Sequence, residues 1–155
     1  MSQRADIVSL VPGAYKAMAG LEAYVRGCGL EPSLLELVKT RASQINGCAF
    51  CLDMHTKDAR HKGETEQRLY CLSAWREAPF YTDRERAALE WTETLTLISE
   101  HDVSDDLYQR TLQHFSEAEL ANLTVAVVAI NGWNRFAISF RAEPGTYRVS
   151  THAAG

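Results

Sequence analysis

The sequence predicts an all-α fold of about six or seven helices, and three observations carry that prediction. Apolar residues recur every three or four positions, as at Ala88, Trp91, Leu95 and Ile98, a spacing that places them on one side of a helix. Thr82 stands three residues before Glu85, and Ser116 three before Glu119, the reciprocal pairing that closes a helix N-terminus. No stretch alternates apolar and polar residues convincingly, so no strand is expected, and no internal repeat divides the chain.

Each element has its own justification. Pro12 suits a first helical turn, and Tyr15, Met18, Ala19, Leu21 and Val25 give the first helix an apolar side that ends near Gly27-Cys28-Gly29. Pro32 opens a second helix through Leu34, Leu35, Val38, Ala42 and Ile45, stopped by Asn46-Gly47. A third runs from Cys48 to Lys62-Gly63, with basic residues in its last turn, where the helix dipole favours them. Glu64 to Trp75 makes a fourth, broken at Ala78-Pro79-Phe80, and Thr82 opens a fifth through Ile98. Ser104 caps a short sixth helix through Leu107, Leu112 and Phe115.

Ser116 opens the longest helix, to about Arg141. Apolar on every side from Leu120 to Ile130, it is expected to be central. Its second half, with Asn131, Trp133, Asn134 and Arg135, is expected to hold an internal polar network rather than a subunit contact, since buried polar groups need partners. Pro144-Gly145 ends it, and a loose tail is expected from about Val149.

The chain of 155 residues suits one domain, 1–155, and is long enough for a continuous core. Its net charge is −4 with no Lys/Arg block, which argues against nucleic acid and anionic membrane as partners. The longest apolar run, Val125 to Ile130, is too short to span a bilayer, and no apolar stretch behind Met1 to Ala5 marks a signal peptide. Four cysteines without a secretory signal argue against a disulfide scaffold. A reducing cytoplasm fits, where a CxxC pair means redox chemistry or metal.

The reactive candidates are Cys48, Cys51 and His55. On a helix opening at Cys48 they span an arc of about 60°, shared with Leu52 and Ala59, so they belong to its packed face. A cysteine in a first turn sees the positive end of the helix dipole, which favours thiolate. An imidazole one turn beyond Cys51 can take its proton. Since Cys48 is two turns from His55, histidine assistance should fall mainly on Cys51 and outweigh the dipole's gain at Cys48. Thioredoxin-like folds place a CxxC after a strand; here it stands between helices, so the pair belongs to another fold. Zinc is a weaker alternative, because two thiolates and one imidazole lack a fourth ligand, and His61, Cys28 and Cys71 have no second-knuckle spacing. Cys28 and Cys71 read as buried free thiols. By spacing alone Glu36 reads as the partner of Ser33 in a capping box, or as a solvated residue.

The run Glu36, Lys39, Arg41, Ser43, Gln44, Asn46-Gly47-Cys48, Cys51 and His55 resembles the alkylhydroperoxidase D-like (AhpD-like) branch of the carboxymuconolactone decarboxylase superfamily. That pattern sets a glutamate twelve residues before a CxxC and a histidine four after its second cysteine, and Glu36, Cys48, Cys51 and His55 fill all four places. The stretch Asn131-Gly132-Trp133-Asn134-Arg135-Phe136, with Arg141 and Pro144 to Tyr147, resembles a subgroup of the same superfamily. The resemblance implies an AhpD-like helical bundle, assembled as a homo-oligomer (trimer or hexamer), and a thiol peroxidase cycle without a cofactor or metal. In that cycle Cys51 attacks a hydroperoxide or disulfide substrate and Cys48 resolves the product to a disulfide. His55 and Glu36 form the proton relay, through a water, and an unidentified thiol reductant restores the dithiol. One position departs from the pattern: the best-studied peroxidase members carry a histidine between the cysteines, where this chain has Phe50. The alternatives are the lactone decarboxylase branch, which has no use for the dithiol, and a non-catalytic redox-sensing oligomer, whose thiols would stay protonated.

Overall fold

The computed structural model describes residues 2–150, and these form eight α-helices and one 3₁₀ turn without a strand. In chain order they are α1 (Ile7–Leu10), α2 (Pro12–Gly27), α3 (Pro32–Asn46), α4 (Ala49–His61), α5 (Glu66–Tyr70), the 3₁₀ turn Leu72–Ala74, α6 (Asp83–Thr96), α7 (Asp105–Leu112) and α8 (Glu117–Phe140). Thr82 with Glu85 and Ser116 with Glu119 form complete capping boxes, and the Ser104 hydroxyl accepts from the Leu107 amide. Each such cap contributes about 1 kcal/mol by satisfying amides that a helix start leaves unpaired.

Three boundaries differ from the sequence reading. The extra helix, α1, is a single turn held by Asp6, whose carboxylate accepts from the Val8 amide. The expected fourth helix breaks at Cys71 into α5 and the 3₁₀ turn. The fifth, now α6, stops at Thr96, so Ile98 lies beyond it and is exposed. Of the expected tail, residues 151–155 lie outside the described residues.

The centre of the bundle is α3, not the more apolar α8. It packs against α4, α6 and α8, and residues 34 to 40, with Ala42 and Ser43, are all buried. By length and composition α8 could cross a membrane; in this fold it lies against α2, α3, α4, α6 and α7. Its apolar girth is only partly used, because Val128 faces outward at 58% exposure. A glycine inside a helix costs about 1 kcal/mol relative to alanine. At Gly132 in α8, a Cβ would come within 2.8 Å of the terminal methyl of Met18 of α2, so the flexible end of that side chain would have to shift.

Leu34, Leu35 and Val38 of α3 join Ala88 and Trp91 of α6 and Leu123 and Val127 of α8 in the largest core cluster. Leu37 turns to a second, with Ala59, Leu72 and Leu89. The third is small: Ala42, Cys48, Cys51 and Ile130, with Phe50 and Ala137 at its edge. That last cluster sets the thiols inside the protein.

Candidate functional site

The site is built on the α3–α4 hairpin. Gly47 ends α3 in the left-handed region at φ +68°, where a Cβ would be strained. The Cys48 amide then donates to the Ser43 carbonyl at 3.0 Å. That tight turn reverses the chain so that α4 runs back along α3. Cys48 is the N-cap of α4, one position before the first turn in which it was expected. Cys48, Cys51, His55 and Ala59 are all buried, as their common helix face predicts.

Along the same hairpin, Glu36 of α3 meets His55 of α4. Its Oε2 is 3.0 Å from His55 Nδ1, and its Oε1 is 2.5 Å from the ammonium of Lys62 at the end of α4. The capping reading of Glu36 is thereby overturned: Glu31 is the N-cap of α3, no side chain caps that end, and Glu36 is only 5% exposed. Burial opposes its ionisation, but the hydrogen bonds and charges of His55 and Lys62 outweigh burial and hold the carboxyl at about 2. Because the carboxylate is ionised and accepts, Nδ1 carries the imidazole hydrogen, which leaves Nε2 as the basic atom of neutral His55.

A second carboxylate stands nearby. One ligand atom each from Glu36, His55 and Asp58 falls within 4.8 Å of the others, the spacing of a metal site. The oxygens already have partners, however: Lys62 sits on Glu36, and the Tyr147 hydroxyl donates to Asp58 at 2.7 Å. Tyr147 belongs to a C-terminal strap over α4, in which the Gly145 amide donates to Asp53 and Lys57 donates to the Tyr147 carbonyl. Burial and the neighbouring Asp58 carboxylate push the Tyr147 phenol up to about 12.

The two thiols influence each other. The neighbouring Cys51 thiol is the main reason the Cys48 thiol comes down to about 7. The amides of Cys51 and Phe50 also favour the Cys48 thiolate, although none closes a regular cap. The neighbouring Cys48, reinforced by burial, pushes Cys51 up. In the resting pair Cys48 is therefore the more acidic sulfur, opposite to what the position of His55 suggests. No hydrogen bond joins His55 to Cys51; the groups around Cys51 that set its acidity are Cys48 and Asn134.

Asn134 belongs to the polar network expected in α8. It is fully buried, donates to Ser43 Oγ at 3.0 Å and accepts from Asn46, which also donates to Asn131. Asn131 in turn donates to Thr96. Arg135, though exposed, joins the network at its outer end by donating to Asn131 Oδ1 at 3.2 Å, whereas Trp133 stands apart from it, stacked edge-on against Tyr15. Within the motif, Lys39 pairs with Glu22 and Arg41 with Glu93, both structural roles. Cys28 and Cys71 are half-buried rather than buried, and free. Lys62, Asp58 and Tyr147 were missed, since no local spacing ties them to Glu36. A surface groove of about 260 Å³ beside Arg41 and Glu93 contains none of the four motif residues.

Comparison with known proteins places this geometry. The carboxymuconolactone decarboxylase family model matches residues 12–94. The uncharacterised protein YdfG of Bacillus subtilis is 47% identical over 139 residues, spanning 90% of this chain and 95% of that one. A crystal structure from Agrobacterium tumefaciens superposes with a TM-score of 0.90 at 45% identity, over 94% of this chain and all of that one. That protein is of unknown function, with AhpD-type antioxidant defence suggested for it. The debrominase Bmp8, solved with 2,3,4-tribromopyrrole, shares the fold at a TM-score of 0.79 with 15% identity, over 90% of this chain and 74% of that one.

Proposed function

Because the chain belongs to the carboxymuconolactone decarboxylase family and is AhpD-like within it, we propose that it is a thiol peroxidase that reduces organic hydroperoxides through a Cys48/Cys51 dithiol–disulfide cycle. The observation that carries this reading is a buried pair of thiols, one helical turn from a buried carboxylate–imidazole pair. His55 Nε2 receives the Cys51 proton, and Glu36 steadies the imidazolium through Nδ1. The Cys51 thiolate attacks the terminal peroxide oxygen; the O–O bond breaks, and the alkoxide leaves as alcohol after taking a proton. Cys51 is then a sulfenic acid. Attack by Cys48 on that sulfur expels water and forms the disulfide. A dithiol donor reduces it, and both electrons reach the peroxide by this route. Cys48 and Cys51 are 1% and 2% exposed, which favours a slender O–O group over a bulky disulfide as oxidant.

The reading includes a homo-oligomer, a trimer or a hexamer, working in a reducing cytoplasm. Apolar side chains left open on α1, α2 and α8, among them Leu10 and Val128, support the assembly.

A second assignment has its own support: the increased acidity of Cys48 favours Cys48 as the attacking sulfur. Mass spectrometry after one equivalent of cumene hydroperoxide separates the two. Cys48→Ser should accumulate a sulfenic acid on Cys51 in one stoichiometric burst, and Cys51→Ser should react only as a background thiol. A rapid sulfenic acid on Cys48 in Cys51→Ser would invert the roles, and a wild-type protein inert to hydroperoxide would end the peroxidase reading.

A further inference from the structure

Five helical threonines in this protein satisfy their hydroxyls in one way. Thr56, Thr92, Thr94, Thr111 and Thr124 each donate to the carbonyl four residues back, at 2.7 to 3.0 Å. Thr40 of α3 does not. It is fully buried, and among the described residues its Oγ1 is the buried side-chain polar atom with no partner. Leaving a hydroxyl unpaired in an apolar interior is costly, so such an atom calls for an explanation.

Its position supplies one. Glu36, Thr40 and Ser43 fall within an arc of about 60° on α3. Glu36 meets His55 on α4, while the Ser43 carbonyl meets the Cys48 amide at the start of α4. Thr40 lies between these two contacts, and in a hairpin of helices running back along each other it is level with the turn from Cys51 to His55. That turn contains the gap in the relay, since Cys51 and His55 share no hydrogen bond.

We propose that the Thr40 hydroxyl is a positioning residue that anchors a single buried water between Cys51 Sγ and His55 Nε2. The inference rests on the peroxidase reading and adds a residue to it. Three polar partners meet the usual needs of a buried water. The Cys51 proton passes to the water as the water gives one of its own to Nε2. The products are the Cys51 thiolate, an intact water and the imidazolium paired to Glu36. Thr40 makes and breaks no covalent bond; its hydroxyl fixes the oxygen on the line between sulfur and nitrogen.

Thr40→Val removes the hydroxyl at nearly constant shape, Thr40→Ser keeps it, and Thr40→Ala serves if the valine variant fails to fold. Two readouts are needed. The first is a high-resolution crystal structure of the reduced full-length protein, and the second is the pH profile of Cys51 alkylation by iodoacetamide beside the single-turnover rate with cumene hydroperoxide. The expected results are a water within hydrogen-bond distance of Thr40 Oγ1, Cys51 and His55, and a fall of about tenfold or more in both rates for Thr40→Val, as misplacement of a reacting group produces. Thr40→Ser should restore them, with thermal melts of the folded variants unchanged. A Thr40 hydroxyl bonded to its own Glu36 carbonyl, wild-type rates in Thr40→Val, or a serine variant as slow as the valine variant would each overturn the proposal. If the wild type ignores hydroperoxide, the peroxidase reading falls, while the alkylation profile and the crystal structure still decide the role of Thr40.

Discussion

Replacing Glu36 with glutamine tests the carboxylate at the centre of the site with little change of shape. An ordinary glutamate titrates at 4.5, and this one is held at about 2. At about 1.4 kcal/mol for each tenfold change in acidity, the difference corresponds to about 3 kcal/mol of stabilisation of the ionised, folded form. Glu36 is buried, so solvent screening takes little from that figure. A carboxyl whose folded value lies below its unfolded value stabilises the protein above the unfolded value, and loses that contribution as pH falls through the folded one. Wild type should therefore lose about 3 kcal/mol from this residue between about pH 5 and pH 2, and Glu36→Gln should not. Urea unfolding at neutral pH and at several acid pH values reads the difference directly: the gap between the two proteins should be widest at neutral pH and close on acidification. In parallel, single-turnover peroxide reduction by Glu36→Gln should slow by about 10² to 10⁴, the usual contribution of a positioned acid–base group. A stability gap that does not move with pH would refute the electrostatic account of Glu36. Unchanged kinetics would remove Glu36 from the relay.

Two further predictions follow from the same surroundings. Lys62→Met removes the ammonium on Glu36 and leaves the hydrogen bond to His55; because Lys62 is 41% exposed, the loss at neutral pH should be about 1 kcal/mol, and the acid limb of the melting profile should move to higher pH. Sedimentation at micromolar concentration should show an assembly larger than a monomer, which Leu10→Glu, at a position 65% exposed, should weaken; a wild-type monomer would refute the oligomeric reading.

What the sequence showed of the fold followed from local chemistry. The capping boxes at Thr82 and Ser116 and the stop at Gly47 use residues within a few positions of each other, and they appear where they were expected. α1 escaped notice because a four-residue helix has no periodicity to detect; only the Asp6 cap marks it. Centrality was assigned to α8 because hydropathy counts apolar residues. It cannot see that the polar residues of α3 find partners on other elements, which lets a less apolar helix occupy the middle of the bundle. The candidate site divides in the same way. Spacing alone puts Cys48, Cys51 and His55 on one buried face, whereas Glu36 was claimed by its local relation to Ser33 and only the family resemblance moved it to the site. Lys62 and Tyr147 close on the site from 26 and 89 residues away, from Glu36 and Asp58 respectively, and nothing local announces that.

The buried polar residues of α3 form a ladder whose logic is energetic before it is chemical. Glu36, Lys39, Thr40 and Ser43 lie inside the most enclosed helix of the protein, where each unpaired polar group destabilises the fold. Lys39 is paired to Glu22, Glu36 to His55 and Lys62, and Ser43 to Asn134, so each of these three is satisfied by a neighbouring element. Apolar residues at these positions would have packed without any of those requirements. Where a fold departs from the simplest stable solution, functional sites are the usual reason. Two of these pairings flank one stretch of the α3–α4 hairpin: Glu36 holds the imidazole of His55, and Ser43 holds Asn134 beside the thiols, whose acidity it favours. The one rung without a partner, Thr40, is the rung between them.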